Sequence, residues 1–77
     1  MDWPERYSAA LDVELTEAEV DAILDLARDV AHATERRFAP LSSYLAGKFV
    51  ARRMNEGASA TDAVHEAQEI VGRLLAQ

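Results

Sequence analysis

Four polar side chains near the middle of the chain have residue types and spacing that catalytic chemistry uses. Asp25, Arg28, Asp29 and His32 recur every three or four residues, which places them on one face of a helix. A carboxylate one turn before an imidazole, as Asp29 is before His32, could orient that imidazole as a general base. A metal site is disfavoured, because Asp25 and His32 lie about 10 Å apart along a helix axis. The alternative interpretation is a solvated helix face with ordinary charge pairing.

A basic segment follows this face. Residues 36–55 contain five basic side chains and no acidic one, although the whole chain has a net charge of −6. The forked donors of Arg36 and Arg37 could bind a phosphate or an acidic partner surface. Alternatively, the two arginines complement the C-terminal dipole of the preceding helix, while Lys48 and Arg52 pair with acidic helices around them.

Composition excludes several classes of function. The 77 residues are enough for one domain, and the absence of cysteine rules out disulfides, zinc–thiolate sites and iron–sulfur clusters. The acidic balance argues against nucleic acid, no run approaches the roughly 20 apolar residues of a membrane span, and the N-terminus does not resemble a signal peptide. We therefore expect a cytoplasmic domain. No nucleophile elbow, phosphate-binding glycine loop or two-histidine zinc motif occurs, so we expect neither an enzyme nor a cofactor.

Periodicity and capping signals predict an all-α fold, a compact four-helix bundle-like single domain. Thr16 with Glu19 forms a capping box, Ser59 precedes Asp62 by three residues, and Gly57 can end a helix. The predicted helices cover residues 3–12, 17–36, 41–55 and 60–76.

The third predicted helix should start after Pro40, because proline disfavours a continuing helix before it. Apolar residues on two sides of this helix indicate a central position in the bundle. The turn should also bring Arg37 beside free amides at its N-terminus, with His32 bordering an anion-attracting surface. The expected core residues are Leu24, Leu45, Phe49, Ile70 and Leu74.

One stretch resembles a known family. The segment AILDLARDVAH (residues 22–32), followed by Arg37, Ala39-Pro40-Leu41, Leu45 and Gly47, is similar to the actinobacterial domain of unknown function 6457 family. The resemblance implies a small helical domain found beside, or fused to, molybdenum-cofactor guanylyltransferases, in the setting of formate dehydrogenase maturation. It also implies that matching residues contact a partner protein, or the phosphate end of the pterin or its nucleotide. The matching residues are Arg28, Asp29, His32 and Arg37, and Arg36 of the basic segment completes the set of candidate partner- or anion-binding residues.

Three functions follow as hypotheses. The first is a non-enzymatic accessory module that binds a molybdenum-cofactor nucleotidyltransferase or a formate dehydrogenase maturation protein. The second is a small domain that binds an anion, such as a nucleotide or pterin phosphate. The third is a structural homodimerisation domain.

Overall fold

The structure, a computed structural model, describes residues 2–77 and confirms the all-α class. No strand occurs among these residues, and none of their helices combines the length and apolarity needed to cross a membrane. The helices are α1 (Trp3–Leu11), α2 (Glu17–Ala33), α3 (Phe38–Asn55) and α4 (Ala60–Leu75).

The predicted starts of α2 and α4 are confirmed by their caps. The Glu19 amide donates to Thr16 Oγ1 at 3.2 Å, and the Thr16 amide donates back to Glu19 Oε1 at 3.0 Å. Ser59 Oγ accepts from the Asp62 amide at 3.1 Å. These bonds satisfy amides that have no acceptor inside the helix, and so they determine where α2 and α4 begin.

The junction between α2 and α3 differs from the prediction. The second helix ends at Ala33, three residues before the expected Arg36, because Thr34 leaves helical angles (φ −129°, ψ −115°). The third helix begins at Phe38 rather than at Leu41. Pro40 therefore lies inside its first turn, where a missing amide costs no helical hydrogen bond.

The remaining helix ends follow from the backbone conformation. Gly57 adopts a φ of 106° after α3, and the amides of Gly57 and Ala58 bond to the carbonyls of Met54 and Arg53, a Schellman motif. Asp12 ends α1 in the left-handed conformation (φ 56°, ψ 46°), which its residue type alone does not predict. The two links on either side of α3 are each four residues long, residues 34–37 and 56–59.

The core lies among α2, α3 and α4, each of which packs against the other two. Its partly buried lining includes Phe49 and Val71. The fully buried residues are Ala22, Leu26, Val30, Ala46, Ala63, Val64 and Ala67.

The predicted core was wrong at three leucines. Leu24, Leu45 and Leu74 are 63%, 62% and 60% exposed, while Phe49 and Ile70 are half-buried. Leu24 follows Ala22 by only two residues, so it points to nearly the opposite side of α2. The predicted central position of α3 was also wrong, because Ala46 is its one buried residue.

Helix α1 lies apart from this core. None of its Cα atoms comes within 8 Å of a Cα atom in α2, α3 or α4. Its aromatic rings pack on each other instead, with Trp3 and Tyr7 stacked at 5.4 Å between centroids. The bundle thus consists of three mutually packed helices and one that remains unpartnered.

Candidate functional site

The predicted polar face of α2 is present, but its charges are paired along the helix. The Arg28 guanidinium lies 3.3 Å from Asp25 Oδ1 and 3.6 Å from Asp29 Oδ1. All three side chains are about half exposed. Within residues 2–77, no hydrogen bond or ion pair joins Asp29 to His32. The arrangement expected of an oriented general base is therefore not formed.

Arg36 and Arg37 lie in the turn after α2 and not on its last turn. The predicted complementation of the α2 dipole was wrong for this reason, and His32 is the basic residue in that position. Arg37 Nη2 lies 3.4 Å from Glu35 Oε2, and its guanidinium lies over the Phe38 ring at 5.1 Å from the centroid. Both members of the Arg37–Glu35 pair are well exposed, so water screens their attraction.

The predicted free amides at the start of α3 are not available to an anion. The Phe38 amide donates to the Glu35 carbonyl at 3.0 Å, and the Ala39 amide donates to the Arg36 carbonyl at 3.2 Å. Pro40 has no amide hydrogen. The five candidate residues are thus divided between an exposed helix face and the next turn, and the described hydrogen bonds and ion pairs do not link the two groups.

The remaining basic side chains of α3 make two kinds of contact. Lys48 Nζ lies over the Tyr44 ring at 5.5 Å, and the Arg52 guanidinium lies over Phe49 at 5.3 Å, in place of the predicted pairing with acidic helices. Arg53 donates to Glu56 Oε1 at 2.8 Å and to Glu66 Oε2 at 3.1 Å, and these bonds raise the pKa of its guanidinium. The second bond ties α3 to α4.

A larger feature than any of these is an apolar groove, here called the α3–α4 groove, at the C-terminal end of α2. Its volume is about 370 Å³. Leu41, Leu45 and Leu74 stand along it with 57%, 62% and 60% of their surface exposed. The lining consists of Val30, Thr34, Phe38, Leu41, Ser42, Leu45, Val71, Leu74 and Leu75.

A second pocket of about 280 Å³ extends the groove along α3 and α4. The two share Ser42, Leu45, Val71 and Leu74, so they form one trough. The core residues Leu26, Ala46 and Ala67 lie at the base of this second pocket, and Phe49 and Ile70 also line it. Four of the residues expected in the core, Leu45, Phe49, Ile70 and Leu74, line this pocket instead.

Helix α1 carries a second exposed apolar surface, the α1 face, formed by Trp3, Tyr7 and Leu11. These side chains are 65%, 53% and 54% exposed. They line a shallow pocket of about 340 Å³ together with residues of the link that follows, including Val13 and Leu15. Large apolar side chains that share a surface in this way are typical of interaction sites.

The ionisable side chains of the described residues do not assemble elsewhere into a metal site. No group of three or more histidine, aspartate or glutamate side chains within residues 2–77 could hold a metal ion. His65, the other histidine, is exposed on α4.

The fold and the groove define a small all-α domain with an exposed apolar groove. The chain belongs to the family described as Domain of unknown function (DUF6457), whose family model matches residues 1–77. This match confirms the family expected from residues 22–47. No curated protein and no solved structure matches the chain.

Proposed function

We propose that this domain is a non-enzymatic accessory module that binds a partner protein through the α3–α4 groove. The observation that carries the proposal is the exposure of Leu41, Leu45 and Leu74 along one trough. Covering these side chains on binding removes apolar surface from water, which is the main source of affinity in helix-in-groove complexes.

The chemistry of the groove favours binding over catalysis. Its lining contains apolar side chains and two hydroxyl groups, those of Thr34 and Ser42, and no acid, base or imidazole. Thr34 Oγ1 already donates to the Val30 carbonyl at 2.7 Å. Such a lining can hold an apolar side chain, but it supplies no group of suitable pKa for proton transfer.

The proposal also names the class of partner protein. Family resemblance implies a setting beside molybdenum-cofactor nucleotidyltransferases and formate dehydrogenase maturation, and we propose a protein of one of these two kinds. Arg37 connects the predicted partner-binding residues to the groove, because its guanidinium lies over Phe38, which lines it. Arg28, Asp29, His32 and Arg36 do not line the groove.

The experiment is a pull-down and titration of the purified chain against both kinds of protein, encoded in the same genome. The wild-type chain should bind one of them, and Leu41→Asp with Leu45→Asp should weaken binding by at least about tenfold, because a charge then enters the apolar contact. Leu24→Asp is the matched control, since Leu24 is equally exposed on α2 and does not line the groove.

Two results would contradict the proposal. Equal loss of binding by the groove variant and the Leu24 variant would show that the groove is not the contact surface. Absence of binding to either kind of protein would remove the proposed partners. Circular dichroism of each variant checks that its helices are intact.

A further inference from the structure

Two exposed apolar surfaces of this chain have side chains with the same spacing along a helix. The α1 face contains Trp3, Tyr7 and Leu11, spaced four residues apart. The stripe of Leu41, Leu45 and Phe49 in the groove has the same spacing, so each stripe is about 12 Å long. Rows of side chains four residues apart are the ridges and grooves that interlock in the commonest class of helix packing.

The charges around the two surfaces are complementary. Residues 2–14 contain four acidic side chains, Asp2, Glu5, Asp12 and Glu14, and a single basic one. The exposed side of α3 has Lys48 beside Tyr44 and Arg52 beside Phe49. Helix α1 itself contains one acid and one base, Glu5 and Arg6, and the other three acids flank it. Laid along the groove, α1 with its flanking residues would therefore bring acidic side chains to the basic ones at the groove's edge.

We propose that α1 of a second copy of this chain occupies the α3–α4 groove, and that the two copies exchange α1 reciprocally to form a dimer. The inference rests on the proposed function, because it takes the groove to be a docking surface. Six side chains in each contact, Trp3, Tyr7, Leu11, Leu41, Leu45 and Leu74, are more than half exposed. At about 100 Å² each, two such contacts bury roughly 1,200 Å², the lower end of the range for stable interfaces.

The occupant is a second copy because α1 of the same chain lies near the opposite end of α2 from the groove. Asp2, Pro4 and Glu5 border a pocket shared with Thr16 and Asp21, at the N-terminal end of α2. The groove lies by Val30 and Thr34, at the other end of that helix. The left-handed Asp12 and the capping box at Thr16 determine both ends of the link between α1 and α2.

Trp3 is the only tryptophan in the chain, so its fluorescence reports on the α1 face. Sedimentation and emission spectra should be measured together over a range of protein concentrations. We expect a dimer at high concentration, with Trp3 emission shifting to shorter wavelength as the dimer forms. A monomer at every concentration would overturn the proposal, whether Trp3 stays in water or is buried against its own chain.

Complementary variants give the sharper test. Tyr7→Glu alters the α1 face, and Leu45→Glu alters the groove, so each variant alone should be monomeric. Their mixture should form a heterodimer, because the intact α1 of one fits the intact groove of the other. That heterodimer should be weaker than the wild-type dimer by about tenfold or more, since it retains one contact of two.

Leu24→Glu is the control and should dimerise like the wild type. If the mixture stays monomeric while circular dichroism shows both variants folded, the exchange of α1 is excluded. No partner protein is present in these measurements, so their outcome is independent of the pull-down. A monomeric chain that still captures its partner through Leu45 would overturn the dimer and leave the proposed function standing.

Discussion

The interior of the three-helix core and the α3–α4 groove are built from side chains of different size. Four of the seven buried residues are alanines, Ala22, Ala46, Ala63 and Ala67, whereas leucines stand along the groove. Small residues let helix backbones approach closely, but each removes little apolar surface from water. The larger apolar side chains are left where another molecule can cover them. The position of the large apolar side chains, and not their number, therefore distinguishes the stabilising core from the proposed binding region.

This comparison predicts that equal substitutions will have unequal effects. Leu26 is 1% exposed, and Leu26→Ala should lower the free energy of unfolding by about 2–5 kcal/mol, through lost burial and the cavity left behind. In a domain expected to be stable by about 5–10 kcal/mol, urea unfolding followed by circular dichroism would register the change clearly. Leu24→Ala, on the same helix, should stay within about 0.5 kcal/mol of wild type.

Enlarging a side chain should also destabilise the buried interior more than an exposed position. Ala63 has no exposed surface, so Ala63→Leu should force α4 away from its neighbours and cost about 1–3 kcal/mol. Ala51→Leu, on the exposed side of α3, places the same side chain in water and should change stability little. Thermal unfolding measures both. Equal melting temperatures for the two variants would mean that the alanine-lined interior is not tightly packed.

The smallest effect concerns charge at the edge of the groove. Arg37→Ala should weaken partner binding about fivefold or less, because an exposed charge contributes at most about 1 kcal/mol. The effect should fade as salt is added, since salt screens exposed charges. Arg28→Ala should leave binding unchanged, because Arg28 is paired with Asp25 and Asp29 away from the groove. A larger loss of partner binding from Arg28→Ala than from Arg37→Ala would indicate that the partner contacts the exposed face of α2 instead.

Local signals made much of the fold predictable. A capping box or a helix-ending glycine acts within a few residues, so Thr16, Ser59 and Gly57 located helix ends correctly. Pro40 misled the prediction because proline is compatible with the first turn of a helix as well as with its end. The apolar stripe of α3, formed by Leu41, Leu45 and Phe49, also did not indicate what packs against it. A stripe shows which residues share a side, but tertiary packing decides whether that side is covered.

The candidate site was less predictable for the same reason. Residue types and spacing left two interpretations of the α2 face open, and the structure supports the solvated face with charge pairing, because Arg28 is exposed and paired with Asp25 and Asp29. The free amides expected beside Arg37 depended on a helix start three residues later than the observed one. The groove itself depends on the arrangement of three helices, and a helical wheel drawn for one helix cannot display it.

The four-residue links on either side of α3 have a kinetic consequence. They join helices that are neighbours along the chain, so the packing contacts of the core close only short loops, and helical proteins of this type fold in microseconds to milliseconds. Assembly of two molecules is slower at low concentration, since it waits for diffusional encounter. Each newly folded chain should therefore spend an interval as a monomer with its groove open. During that interval, the relative concentrations of the two proposed occupants, a partner protein and a second copy, would determine which one binds first.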